Sequence, residues 1–532
     1  MASSQESLPI NDRENPYFVE AYPTPTTPSQ FLSLLSAFPT TPTRELVQPY
    51  LSYETGLRKA FARPHAVVGG PDDLISIYDG HESSFRIRIA DRETTAADKY
   101  IMPLKRKEVL GGQPAIAGSF AKFCENFDAF THGILHDINW SNIVVAGSAA
   151  LLPLLPRRKK RSTASAAVER PLENYFDNIA KASDIDIFLY GIHDEQVAIR
   201  RISEIDATIR KNQRIIVGEG LSLHTKNAVT FIAPRYPHRH VQVILRLYDS
   251  ITEILTGFDV DCACVAFDGK KVYSSPRGIT AISTRTNTVD LTRRSPSYEN
   301  RLFKYRQHKF DVFWELLDRS QIQSLDFEKT KPWHFKGLAR LVMFERLLQT
   351  GYSRPYYIHR NFKRVDGVRD PALVTKNHFH SSGYTSIEIP HSVSFTADKV
   401  RKFVKKHAKE PFTYGTLNEL LCQRSTGWRS GEISPTLKFI KEDCGRQMIG
   451  SFYPSTADDW TQMAYGGLAE NEEEESDENE ESSSSDPSLP SSRSGRRRIK
   501  RWAGKCVAQA RYLRRHWRSS LESKIRAIAH ST

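Results

Sequence analysis

Asp184 and Asp186 stand two residues apart in the run Ser183-Asp184-Ile185-Asp186-Ile187-Phe188-Leu189-Tyr190, which alternates and then turns apolar as a strand entering a core does. On a β-strand residues i and i+2 face the same side, so the two carboxylates would project together. Like charges that close resist ionising together unless a cation lies between them, and a divalent metal is the cation that such oxygen ligands hold. The blander reading, a strand end with two solvated aspartates, is the commoner fate of a lone Asp-x-Asp. The pattern recurs at Asp259 and Asp261 in Gly257-Phe258-Asp259-Val260-Asp261-Cys262. There two readings stand level: a further metal carboxylate, or a residue that caps or turns the chain.

Upstream lies a junction that suits phosphate. In Ile143-Val144-Val145-Ala146-Gly147-Ser148-Ala149-Ala150-Leu151-Leu152 an apolar strand runs into Gly147-Ser148 and an apolar helix follows. Glycine lets a backbone approach a ligand closely. Serine at a helix start sets a hydroxyl beside amides that have no intrahelical acceptor.

The elements that must position these residues are legible from periodicity. Thr43 caps a helix through Tyr53, Leu57 and Phe61, and Phe85 to Ile89 and Lys99 to Leu104 read as strands. Phe120, Phe123, Phe127, Phe130, Ile134 and Leu135 recur at helical spacing, a stripe that reads as core. A helix over 193–212 follows the acidic strand. Val229 to Ala233 and Val241 to Tyr248 then read as antiparallel strands joined by a turn at 234–239. Cys262 and Cys264 read as small buried residues on a strand. Trp314, Leu316 and Leu317 read as helical, as do Gly337 to Leu348 and a basic helix capped by Thr396. His378, His380 and His391 have no tight metal spacing and read as solvated loop residues.

Taken together, Gly147-Ser148 and Asp184-x-Asp186 resemble the nucleotidyltransferase superfamily that includes DNA polymerase beta, poly(A) polymerases and CCA-adding enzymes. The resemblance implies that Gly147 and Ser148 seat a triphosphate and that Asp184 and Asp186 ligate Mg²⁺ or Mn²⁺. The spacing departs from that family, since 36 positions separate Ser148 from Asp184. The surplus, chiefly Arg157 to Ser165, reads as a surface insertion, which costs little free energy. The family's third metal carboxylate lies on a strand that matches Val241 to Tyr248, and the matching position here is Gln242, an uncharged amide. Asp259 or Asp261 is then the candidate for the third carboxylate and the base, and Arg246 for neutralising phosphate charge. Two looser echoes of the CCA-adding and poly(A) polymerase head occur at 257–269 and 296–306. The span from about Tyr50 to Leu341 is also similar to fungal proteins labelled ankyrin-repeat proteins, although the repeat signature is absent from this sequence.

Composition bounds the rest. The chain has 532 residues, a net charge of +13 and 39% hydrophobic residues, below the globular norm, so part of it is expected not to pack. The positive charge is concentrated in Arg157 to Arg161 and in the last forty residues, which suits nucleic acid or another polyanion. Six cysteines with no Cys-x-x-Cys argue against a disulfide framework and a zinc ribbon. There is no apolar leader and no run of about 18 apolar residues, so a nuclear or cytoplasmic protein without a transmembrane segment is expected.

The expected organisation is a mostly disordered leader over 1–42, with room for one short helix near Phe31 to Leu35, and a nucleotidyltransferase-like core over 43–310 with an insertion at 157–182. A helical region over 311–465, an acidic and serine-rich linker over 466–495 and a basic amphipathic tail over 496–532 follow. The fold class expected is α/β (α+β), a mixed sheet flanked by helices. The function expected is transfer of a nucleotidyl group from an NTP to an RNA or protein hydroxyl. The alternative is an inactive core that serves as a scaffold, with the basic segments binding nucleic acid or a protein partner.

Overall fold

A computed structural model describes residues 27–62, 73–80, 82–95, 97–157, 171–180, 183–216, 220–225, 227–294, 298–322 and 338–349, with Gly70 and several short segments between 364 and 440. The chain enters through α1 (Pro28–Ala37), where proline at the helix start lacks only an amide that would go unpaired. In α2 (Thr43–Phe61) the buried residues Val47, Tyr50, Glu54, Leu57 and Phe61 fall on one face. Phe31 of α1 is fully buried and stacks edge-on against Tyr50, so packed structure begins ahead of Thr43. Next come β1 (Ile75–Ser76), the short α3 (Ala90–Thr94) and β2 (Tyr100–Ile101). The stripe of phenylalanines forms α4 (Phe120–Thr131), whose cap Ser119 accepts from the Lys122 amide at 3.2 Å.

The central segment is β3 (Ile143–Ala146), α5 (Ser148–Leu154), α6 (Leu172–Ile179), β4 (Ile185–Tyr190) and α7 (Glu195–Gln213). Strands β5 (Leu221–His224), β6 (Ala228–Ile232) and β7 (Val241–Tyr248) follow as a meander, then α8 (Ile251–Thr256), β8 (Val265–Phe267), β9 (Val272–Ser274) and α9 (Pro276–Thr284). The chain continues through β10 (Thr286–Thr288), α10 (Tyr298–Gln307), β11 (Asp311–Phe313) and α11 (Ala339–Gln349).

The main sheet has nine strands in the order β1, β9, β8, β3, β4, β7, β6, β5 and a last strand, Thr413–Gly415. Every neighbouring pair is antiparallel except β4 with β7. A parallel pair needs a long crossover, and α7 with β5 and β6 supplies it. β3 and the inner part of β4 are apolar and fully buried, because helices cover the sheet there. A second sheet joins β10, β11 and β2. This is a mixed α/β architecture, as the periodicity predicts.

Further expectations change. Phe85 to Ile87 pairs with 112–115 through Ile87 N to Gln113 O (2.8 Å) and Ala115 N to Phe85 O (2.8 Å) but joins neither named sheet, and Ile89 already has helical backbone angles at the start of α3. Trp314 to Leu317 is not helical: it follows β11, which pairs in parallel with β10, and Leu316 is exposed. The region after 311 is not simply helical, since Thr413–Gly415 completes the main sheet beside β5. Within the supposed insertion, α6 is a packed helix with Phe176 fully buried, while 158–170 lie outside the described residues.

The described residues all fall within the unit Met1–Gly467; the linker and basic tail, His378, His380 and His391 lie outside them. No helix among the described residues is long and apolar enough to cross a membrane.

Candidate functional site

β3 ends at Gly147, where the backbone takes φ 74° and ψ −139°. Side chains with a Cβ rarely adopt that conformation. Space is not the constraint, since an added Cβ would meet only Phe258, at an ordinary 3.8 Å. The Gly147 amide donates to Val265 O at 3.0 Å, so pairing with β8 continues into the turn, and buried Ser148 then opens α5.

β3 and β4 pair with Ala146 opposite Asp186. Because they run antiparallel, the end of β3 lies at the start of β4, and the Gly147-Ser148 turn sits beside Asp184 and Asp186. The topology thus closes the gap of 36 positions. On the other flank of β4, Asp186 is opposite Gln242, and Gln242 is opposite Thr230. Residues opposite in register share a sheet face, so Ala146, Asp186, Gln242 and Thr230 form one row across four strands. Gln242 donates from Nε2 to Thr230 Oγ1 at 3.2 Å.

Oδ1 of Asp186 is buried and accepts no hydrogen bond among the described residues. Burial first, then the charge of Asp184, pushes its carboxyl well above the usual range, and the Lys304 ammonium pulls the other way. A buried carboxylate oxygen with no donor is costly, and a bound cation removes that cost.

Helix α10 brings three more groups near. Arg301 pairs with Asp259 from Nη2 to Oδ2. The Tyr305 hydroxyl is driven well above its ordinary value by burial, then by the charges of Cys262 and Asp186, with Asp259 adding to them. Tyr305 therefore feels both acidic pairs, and Lys304 precedes it in the same helical turn. The stretch 296–306 contains Arg301, Lys304 and Tyr305, but nothing in its sequence shows that Lys304 and Tyr305 come within electrostatic reach of Asp186.

Two expected site residues are engaged elsewhere. Asp261 begins a 3-10 turn, not a strand, and accepts from Arg277 Nη1 at 2.8 Å and the Thr288 amide at 2.6 Å. It belongs to a buried ion cluster in which Arg277 Nη2 lies 3.0 Å and Arg293 Nη1 3.3 Å from Glu54 Oε1, tying α2 to α9. Burial alone would raise the Glu54 carboxyl, but Arg277 and Arg293 hold it below its usual value. A carboxylate so committed is structural. Arg246 lies four residues beyond Gln242, about 13 Å along the strand. There it contacts Glu253 at 3.5 Å and lies over the Tyr248 ring, 5.2 Å from its centroid. It does not join the row containing Asp186.

Asp184 and Asp186 are the residues that would hold one Mg²⁺ or Mn²⁺, since magnesium is commonly bound through one or two carboxylates. Among the described residues no group of three or more aspartate, glutamate, histidine or cysteine side chains converges as a metal cage.

Residues 121–285 match the family described as Gad2, Gabija anti-defense 2 family protein. The match runs from α4 to the end of α9 and so contains Gly147, Ser148, Asp184, Asp186 and Gln242. An uncharacterised protein of Acanthamoeba polyphaga mimivirus is 28% identical over 239 residues, covering 43% of this chain and 48% of that protein. The chain thus spans about half the length of that curated relative. No solved structure matches it.

Proposed function

We propose that the core binds a nucleoside triphosphate with one divalent cation and transfers its nucleotidyl group to an RNA or protein hydroxyl. The observation that supports this reading above all others is the register of Ala146, Asp186 and Gln242, with the donorless oxygen of Asp186 at its centre and the Gly147-Ser148 turn beside it. Asp184 and Asp186 hold the cation. When bound, Mg²⁺ or Mn²⁺ offsets phosphate charge and polarises the phosphorus that is attacked. Gly147 lets the backbone approach the β- and γ-phosphates, and the Ser148 hydroxyl donates to them. The acceptor hydroxyl forms a new bond to the α-phosphorus while the bond to the bridging oxygen breaks and pyrophosphate leaves. With Asp261 committed to Arg277, Asp259 is the carboxylate left to take the hydroxyl proton, and Arg301 orients it. In this reading the basic run Arg157 to Arg161 and the tail at 496–532 serve the acceptor, in the nucleus or cytoplasm. The likeness of residues 121–285 to a family described as anti-defense supports such a role for the proposed transfer.

Gln242 supports a second reading, a nucleotide-binding scaffold without turnover, because an amide adds no charge where a third carboxylate would hold a second metal. One experiment separates them. Purified chain is incubated with each labelled NTP, Mg²⁺ or Mn²⁺, pooled RNA and protein acceptors. Incorporation that is lost in Asp184→Ala and Asp186→Ala supports transfer, and binding without incorporation supports the scaffold. A folded protein that neither binds nor incorporates any NTP sinks both.

A further inference from the structure

Arg239 carries a formal charge and is fully buried. Burial lowers its pKa to about 10, so it stays protonated at neutral pH. Its donors go mainly to backbone carbonyls: Nε to Phe130 O at 2.7 Å, Nη1 to Ala180 O at 2.7 Å and Ser183 O at 2.9 Å, and Nη2 to Phe176 O at 3.3 Å. Asp177 Oδ1 stands 3.6 Å from Nη2 and is shared with His132, and the Phe130 ring lies 4.2 Å beneath the guanidinium. One side chain therefore ties the end of α4, the last turn of α6 and the residue before Asp184.

The next residue completes the grip. The Ile185 amide donates to His240 O at 3.0 Å. Asp184 is thus held on both sides by one dipeptide, with Arg239 on the carbonyl before it and His240 on the amide after it. A buried charge is costly, and capping a helix end does not require one. What the guanidinium adds is a rigid planar fork of donors, which fixes direction as well as distance. Resting on the nucleotidyl-transfer reading above, we propose that Arg239 is a positioning residue that sets the Asp184 carboxylate against Asp186 for the cation.

The test uses the full chain and reads Mn²⁺ affinity by electron paramagnetic resonance with a non-hydrolysable ATP analogue, alongside thermal unfolding. Arg239→Lys keeps the charge but loses the fork. Arg88→Lys is the control, because Arg88 also staples carbonyls, those of Leu35, Phe38 and Thr41, but at the α1–α2 connection. Arg239→Lys is expected to weaken Mn²⁺ binding about tenfold, the lower end for loss of a residue that orients a ligand. Arg88→Lys should leave Mn²⁺ affinity unchanged at a comparable loss of Tm, and Arg239→Lys should cost nothing more in an Asp184→Asn background. Wild-type affinity in Arg239→Lys, equal weakening in Arg88→Lys, or full additivity with Asp184→Asn overturns the assignment. If Arg239→Lys does not fold, Asp177→Asn retains the guanidinium but alters its acidic neighbour. It should weaken Mn²⁺ binding in the same direction, and no change there overturns the proposal. A wild type that binds no Mn²⁺ removes the transferase reading and this role with it. A wild type that binds, with variants that bind equally, removes this role alone.

Discussion

Asp186 and Gln242 are direct partners across the parallel pair of β4 and β7, so a carboxylate with a donorless buried oxygen has a neutral amide for its lateral neighbour. The strand pairing, rather than any motif, sets that arrangement. Gln242→Glu would put two carboxylates side by side on one face. In EDTA the variant should lose on the order of 1 kcal/mol, because like charges directly opposite destabilise a sheet, and saturating Mn²⁺ should restore the loss. Urea denaturation with and without metal checks both halves. Unchanged stability in EDTA would mean that the two side chains do not face each other.

Asp261 repeats the Asp-x-Asp pattern but answers to Arg277. Asp261→Asn should cost about 1–3 kcal/mol, the range for leaving a buried partner poorly matched, while Mn²⁺ affinity at Asp184 and Asp186 stays at the wild-type value. Chemical denaturation and metal titration on the same samples separate the two effects. A tenfold drop in metal affinity would return Asp261 to the site.

Gly147→Ala probes the turn that ends β3. Nothing crowds the new methyl group, so the cost is that of the backbone conformation alone, about 1–3 kcal/mol. If the turn seats phosphate, ATP-analogue affinity should fall by more than the stability loss explains. Wild-type stability in this variant would show that the turn relaxes to a conformation that alanine tolerates.

Glu253 makes stability depend on pH. Burial raises its pKa from 4.5 to about 7, although the Asp249 amide and Arg246 oppose the rise. Below pH 4.5 the carboxyl is protonated folded or unfolded and costs nothing. As pH climbs, the unfolded chain ionises first, so stability falls until the folded group ionises near pH 7 and is level above that. The loss is on the order of 3 kcal/mol. Glu253→Gln should flatten this part of the profile, measured as the difference from wild type in urea midpoints at pH 5 and pH 7.5. Parallel profiles would contradict the shift.

The central part of this arrangement was legible from the residues alone. Period-two alternation marked β4 and the two strands on which Gln242 and Thr230 lie, and a glycine between an apolar strand and an apolar helix marked the turn at Gly147. What alternation could not reveal was register: that Ala146 meets Asp186 follows from how β3 pairs, not from the 36 positions between Ser148 and Asp184. The sequence leaves the two readings of Asp261 level because its partner cluster joins Glu54 to Arg277 across 223 positions, and no local pattern distinguishes a carboxylate awaiting a distant arginine from one awaiting a metal. Arg239 gives no such sign, because the polar run Tyr236 to His240 has the composition of an exposed turn and its carbonyl acceptors are distant in sequence. β5 is not legible in the sequence because Ser222 and His224 break its apolar signal. Apolar Trp314 to Leu317 suggested a helix where the preceding strand pairs with β10.

The two outermost strands of the main sheet, Ile75–Ser76 and Thr413–Gly415, lie outside the stretch that matches the Gad2 family. A chain cut before Thr413 would bare the backbone donors and acceptors of β5, and an uncovered strand invites pairing with another copy. Shortened forms of this protein should therefore self-associate through that flank. The late strand acts as a selvedge, keeping the woven interior from fraying into its neighbours.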